Sequence, residues 1–193
     1  NASLTFLSLA DNAIGKDGAV AVAKALEVNA SLTNLSHRGN QIGNEGAVAL
    51  AKALEVNASL TFLSLADNAI GKDGAVAVAK ALEVNASLTK LKLAYFELPI
   101  DLLKTEAEID LSAKSLTPLD AVVIATCMNV NASMTFLDLS SNALAKGKRK
   151  EEGEKNRSNG PDEFHTDMTG IKAIADALSV SSSSMTSVDL SSN

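Results

Sequence analysis

Residues 1–28, NASLTFLSLADNAIGKDGAVAVAKALEV, return letter for letter at residues 57–84. Between them, NASLTNLSHRGNQIGNEGAVALAKALEV at 29–56 keeps the same length and differs at only a few positions. A fixed period of this size marks a repeat architecture, in which one unit cannot bury its apolar face alone and stacked neighbours close a continuous core.

Two patterns share each unit. Around Leu4, Leu7 and Leu9 apolar and polar residues alternate, as a half-buried strand requires. From Ala19 to Val28 the period lengthens, so that Ala19, Val22, Ala23 and Leu26 share one helical face and Val20, Lys24 and Glu27 the other. One repeat therefore reads as a strand, a turn and a helix.

The spacing LxxLxLxxNxI, carried by Leu4, Leu7, Leu9, Asn12 and Ile14, resembles that of the leucine-rich repeat family. The Gly-x-x-Gly pairs Gly15/Gly18, Gly43/Gly46 and Gly71/Gly74 and the alanine-rich helix resemble its ribonuclease-inhibitor subfamily, which includes the repeat regions of NOD-like receptors and of the Ran GTPase-activating protein. The resemblance implies an α/β solenoid, a right-handed horseshoe with a parallel sheet on its concave face and helices outside. On that frame Asn12, Asn40 and Asn68 are expected to form a ladder whose amides satisfy buried turn groups. Asn29, Asn57 and Asn85 are expected to end the helices in the left-handed conformation that asparagine tolerates.

Residues 1–193 read as one repeat domain. Its units fall at about 1–28, 29–56, 57–84, a short 85–102, 103–130, 131–180 with an inserted loop at about 145–169, and a partial 181–193. Phe96 replaces the ladder asparagine, and Pro99 follows so soon that only one helical turn fits. Lys114 stands at the next ladder position, and Thr117 or Asp120 starts a helix toward Val130. The insertion is charged and rich in Gly, Ser and Asn, which predicts a mobile loop. A helix from Ile171 to Val180 and a strand from Met185 to Leu190 follow it. An array that starts on a unit boundary and stops at Asn193, midway through another, reads as a fragment, since open ends leave core surface wet.

Composition narrows the function. With 46% hydrophobic but only 3% aromatic residues, the core must be built from Leu, Val, Ile and Ala, which suits a solenoid. A net charge of -6 argues against nucleic-acid binding, which favours a basic surface. No apolar run is long enough to span a membrane, because Lys24, Lys52 and Lys80 interrupt the helices. The single cysteine, Cys127, and the absence of an opening signal-peptide pattern point to the cytoplasm.

Chemistry finds little purchase. Cys127 and His37 belong to repeats several strand spacings apart, roughly 15 Å at ~4.8 Å per strand, too far for proton transfer. Asp17 and Asp73 follow the lysine of the GKDG segments where a phosphate loop needs Ser or Thr. Ala13 fills a position where a calcium loop needs oxygen. No catalytic residue, cofactor, metal or small-molecule substrate is expected. His37, at the place of Leu9 and Leu65, reads as a core histidine kept neutral by one hydrogen bond. Asn-Ala-Ser at Asn1, Asn29, Asn57, Asn85 and Asn131, with Asn156-Arg-Ser, matches the glycosylation sequon but recurs with the helix ends. The basic run Lys146 to Lys150 is offset by Glu151, Glu152 and Glu154.

The strand face remains. Its outward positions include Phe6, Ser8 and Ala10, then Asn34, Ser36 and Arg38, then Phe62, Ser64 and Ala66. Farther along come Lys90 and Lys92, Glu108 and Asp110, and Phe136 and Asp138. Between the first two repeats, Phe6 becomes Asn34, Ala10 becomes Arg38, Asp11 becomes Gly39 and Ala13 becomes Gln41, while the helix barely changes. The scaffold is kept and the presented surface varies. The expected function is a non-enzymatic scaffold holding a protein partner on Phe6, Asn34, Arg38, Phe62, Lys90, Lys92, Phe136 and Asp138. The resemblance offers two alternatives, a regulator of a small GTPase and a ligand-sensing region of a NOD-like receptor.

Overall fold

The computed structural model describes residues 3–145, 167–180 and 184–193. The basic run, Asn1, Asn156, His165 and most of the insertion expected to be mobile lie outside the described residues.

The first three repeats are strand and helix in turn: β1 (Phe6–Ser8), α1 (Gly15–Val28), β2 (Asn34–Ser36), α2 (Gly43–Val56), β3 (Phe62–Ser64) and α3 (Lys72–Val84). They pair parallel and in register, with Leu7, Leu35 and Leu63 side by side. Leu35 and Leu63 are fully buried, and Leu7, on the edge strand, is half-buried. The seam continues through Leu91 and Leu137 and joins Leu26, Leu54 and Leu82 from the helices in one apolar core. The fold is an α/β repeat solenoid. Burial of each such leucine contributes about 1.5–3 kcal/mol.

The first two Gly-x-x-Gly segments open their helices, since α1 and α2 begin at Gly15 and Gly43, whereas in the third Gly71 caps α3, which begins at Lys72. The second glycine of the later two pairs, Gly46 and Gly74, lies where helices meet. A methyl on Gly46 would stand 2.9 Å from the Ala19 side chain of α1, so the close approach of α1 and α2 requires glycine. Asn44 of α2 caps its neighbour, its Oδ1 accepting from Gly71 and Gly74 N–H at the start of α3.

The turn between strand and helix is wound left-handed on both sides of the ladder residue, with φ near +58° at Asp11, +50° at Ala13, +66° at Gly39 and +56° at Gln41. This winding aims backbone groups inward, where only a side chain can meet them. Asn40 does so. Its Oδ1 accepts from Asn12 and Ile14 N–H at 3.1 and 3.2 Å, and its Nδ2 donates to the carbonyls of Leu9, His37 and Arg38. Asn68, Asn142 and Asn193 repeat the pattern.

The asparagines after the helices are not left-handed caps. Asn29, Asn57 and Asn85 are extended, with φ of -87°, -78° and -76°. They form a second ladder. Asn57 Nδ2 donates to Leu26 and Asn29 carbonyls of the preceding unit, while its Oδ1 accepts from Ser59 and Leu60 N–H. Asn85 and Asn131 do the same one and several units on.

Regularity stops after β4 (Lys90–Lys92). The chain doubles back as β5 (Leu98–Pro99), antiparallel to β4, and runs into the short helix α4 (Ile100–Thr105). The Thr89 carbonyl, which the register would offer to the next parallel strand, accepts from Ile100 N–H at 2.8 Å. The sheet therefore ends at β5. A second parallel sheet follows, β6 (Glu108–Asp110), β7 (Phe136–Asp138) and β8 (Ser187–Asp189), with α5 (Pro118–Val130) and α6 (Thr169–Val180). The helix layer does not break, since α3 packs directly on α5. Thr117 and Asp120 begin α5 together as a capping box.

Lys104 of α4 bridges the interruption in the second ladder. Its ammonium donates to the Leu82 and Asn85 carbonyls at 2.6 and 2.8 Å, the pair that another asparagine would hold. Farther on, Asp167 N–H donates to the Ala145 carbonyl, so the chain returns from the insertion at the point where it left, and Thr169 starts α6 two residues earlier than the sequence pattern suggests.

Removing a ladder amide leaves several buried groups unmet at about 1–3 kcal/mol each. Asn40→Ala is expected to lower the urea unfolding free energy by at least about 3 kcal/mol, and Lys104→Met by about 2 kcal/mol. Equal midpoints for wild type and either variant would refute the corresponding bridge.

Candidate binding surface on the strand face

Each three-residue strand turns its middle residue into the core and its flanking residues outward, and in-register pairing converts those outward positions into columns. One column is Phe6, Asn34, Phe62 and Lys90; its neighbour is Ser8, Ser36, Ser64 and Lys92. Phe6 is 61% exposed, whereas Asn34, Phe62 and Lys92 are half-buried. Ser64 and Ala66, expected to be presented, are buried. Ser64 stands between Ser36 and Lys92, inside the sheet rather than at its edge.

Arg38 is held rather than free. Its Nε donates to Asp67 Oδ2 at 2.8 Å, and its guanidinium lies 3.8 Å from the Asp11 carboxylate, so it spans the units before and after its own. Gly39 makes this arrangement possible: a side chain there would run into the Asp11 carboxylate, at a φ of +66° that also favours glycine. The paired changes Ala10 to Arg38 and Asp11 to Gly39 thus form one device. Lys90 pairs with Glu97 at 3.0 Å, while Lys92 makes no ion pair among the described residues.

The second sheet presents carboxylates without such partners among the described residues. Asp110, Asp138 and Asp189 stand in register, next to the column Glu108, Phe136 and Ser187. Each aspartate accepts the N–H of the serine two residues on, Ser112, Ser140 or Ser191, at 2.8 Å. Hydrogen bonds from Ser112 and Ser191 hold the Asp110 and Asp189 carboxyls below the usual carboxylate range. The three carboxylates stand side by side, an unfavourable arrangement for like groups on facing strands, and make no ion pair among the described residues. Sequence reading missed Asp189, although the recurring Asp-Leu-Ser triplets at 110–112, 138–140 and 189–191 carry the signal. The strand face is thus divided, with ion pairs of Arg38 and Lys90 beside Lys92 on the first sheet and, among the described residues, carboxylates without ion pairs on β6 to β8.

The remaining candidate groups lie in the interior. Cys127 is buried on α5, and burial pushes its thiol up to about 12, opposed by the nearby Lys104 ammonium. No cluster of metal-ligand residues occurs among the described residues. The Nδ2 atoms of Asn57, Asn85 and Asn131, which a sugar would need, are engaged in the second ladder. His37 departs from expectation: it is fully buried, but neither ring nitrogen has a hydrogen-bond partner.

Residues 1–23, 28–51 and 56–79 each match the family model described as Leucine Rich repeat. These coils are leucine-rich repeats. No curated protein matches the chain. Among solved structures, the one described as Leiomodin-1 Actin-Binding Site 2 (ABS2) is similar, at 18% identity over 91% of this chain and 79% of that one, with a TM-score of 0.51. That likeness is one of fold, and it runs over 91% of this chain, beyond the three matched coils.

His37 occupies a leucine position without a polar partner, and burial lowers its pKa from the ordinary value of about 6.5. Below that value the unfolded chain takes a proton that the folded chain refuses, so stability is full above about pH 6.5 and falls as pH drops. His37→Leu is expected to raise stability at pH 7 by about 1–3 kcal/mol and to flatten its decline between pH 6.5 and 5. Denaturant titrations at several pH values check this, and an unchanged slope would contradict it.

Proposed function

We propose that the chain is a non-enzymatic interaction scaffold that holds a protein partner on its strand face. The carrying observation is the in-register acidic column Asp110, Asp138 and Asp189, set apart from the cations Arg38, Lys90 and Lys92 on the same face. Like charges stacked at strand spacing weaken the isolated fold, and a partner bearing basic groups relieves them. Phe6, Phe62 and Phe136 supply apolar anchors on the same face, and Asn34 adds a polar one. Protein binding, rather than nucleic acid, membrane or small-molecule recognition, suits a divided, net acidic face on a rigid sheet.

No helix among the described residues is long and apolar enough to cross a membrane. A cytoplasmic setting belongs to this same reading, supported by the single buried cysteine. The narrower alternatives, regulation of a small GTPase and ligand sensing as in a NOD-like receptor, rest on family resemblance alone. A GTP hydrolysis assay with candidate GTPases tests the first of them. Cosedimentation with actin filaments tests whether the binding named for the leiomodin structure extends to this chain.

A photo-crosslinking residue at position 62 is expected to capture the partner, and one at position 52, on the helix side, is not. Adding Asp138→Lys is expected to weaken capture at 62 about tenfold while leaving the thermal midpoint unchanged or higher. Equal capture at both positions would reject the strand face as the binding site.

A further inference from the structure

The strand face leaves one repeated surface unused. The last residue of each regular helix is an exposed valine: Val28, Val56 and Val84 are 86%, 64% and 67% exposed. Each is followed by an asparagine of the second ladder and then by exposed Ala30, Ala58 or Ala86. Val56, Ala58, Val84 and Ala86 line a cleft of about 430 Å³ between the second and third coils, with Glu55 at its side. Isolated exposed valines are common, but three in register along one edge form a stripe.

Charge specifies what can lie there. Glu27, Glu55 and Glu83 immediately precede the valines, and none of the three makes an ion pair among the described residues. A helix C-terminus carries partial negative charge and favours a cation; α1, α2 and α3 have no basic residue of their own in the last turn, and Lys104 supplies one from outside to α3 alone. Lys24, Lys52 and Lys80 lie one turn back, in the lysine-before-glutamate order that supports a helix least. The edge therefore combines an apolar stripe with a row of glutamates that make no ion pair among the described residues, Lys104 reaching only the carbonyls at the end of α3.

Spacing specifies its form. Packed helices stand about 8–10 Å apart, so successive valines recur at about that interval. A residue every two turns of an α-helix advances about 10.5 Å. We infer that the edge formed by Val28, Val56 and Val84 docks a basic amphipathic helix of a protein partner, laid across the ends of α1 to α3 with one apolar residue per coil. This surface is separate from the strand face.

The test uses a synthetic helical peptide of about 15 residues, with leucine at heptad spacing and lysine beside it, against a twin bearing glutamate in place of lysine. Fluorescence anisotropy with the full chain is expected to show the lysine peptide binding at least about tenfold more tightly. Val56→Asp with Val84→Asp should remove that binding, and Glu27→Lys, Glu55→Lys and Glu83→Lys together should reverse the preference. Phe62→Glu on the strand face should leave it unchanged, which separates this inference from the strand-face reading. Equal or absent binding of the two peptides up to ~1 mM, or loss caused by Phe62→Glu, would overturn the proposal. So would wild-type copelleting with anionic vesicles that Val56→Asp abolishes, or self-association abolished by the same change, because the occupant would then be a bilayer or a second copy.

Discussion

Every coil of this solenoid turns twice, and each turn buries backbone groups that no strand or helix can pair. An unmet buried carbonyl or N–H costs about as much as a buried methylene contributes, or more. The fold therefore depends on side chains that carry donors and acceptors into those turns. Asparagine suits both sites, because its amide donates to several carbonyls while its oxygen accepts from backbone N–H of a neighbouring unit. Asn40 and Asn57 each tie their coil to the one before it. The leucine seam supplies most of the burial energy; the two ladders set the register in which that seam forms.

Where an asparagine is missing, the way the chain compensates shows what the position requires. Lys104 comes from a different element and at a different sequence spacing, yet its ammonium reaches the two carbonyls that an amide would have met. It supplies donors only, with no oxygen in place of the amide's acceptor. Burial lowers its pKa, while hydrogen bonds to carbonyls at a helix end favour the charged form. At the other ladder Phe96 offers nothing polar, and the sheet ends there. The contrast accounts for an unbroken helix layer beside a divided sheet.

The repeat made much of this legible in advance. A 28-residue identity fixes strand, helix and inward leucines together, because only one assignment satisfies both periodicities in every copy. The inner asparagine ladder followed from the repeat register together with what an amide can donate and accept. The return of the chain through β5 did not, because two residues of strand leave no alternation to detect, and Lys104 stands at no repeat position. The outer asparagines were misread for another reason: a helix-ending asparagine is compatible with a left-handed cap, and only the stacking of coils turns it extended, toward the preceding unit. His37 is the converse case, in which sequence placed the residue correctly but could not reveal that the core around it offers no partner.

On the strand face, the columns could be read from alternation, but their electrostatics required coordinates. Arg38 looks like a free cation in sequence and is a clamp between Asp11 and Asp67 in space, with Gly39 leaving room for it. The helix side varies far less, since KALEV closes all three regular helices unchanged. A surface that differs from coil to coil can recognise only an irregular partner. One that repeats every coil matches a partner with its own regular period, and a single chain built of near-identical units presents both kinds at once.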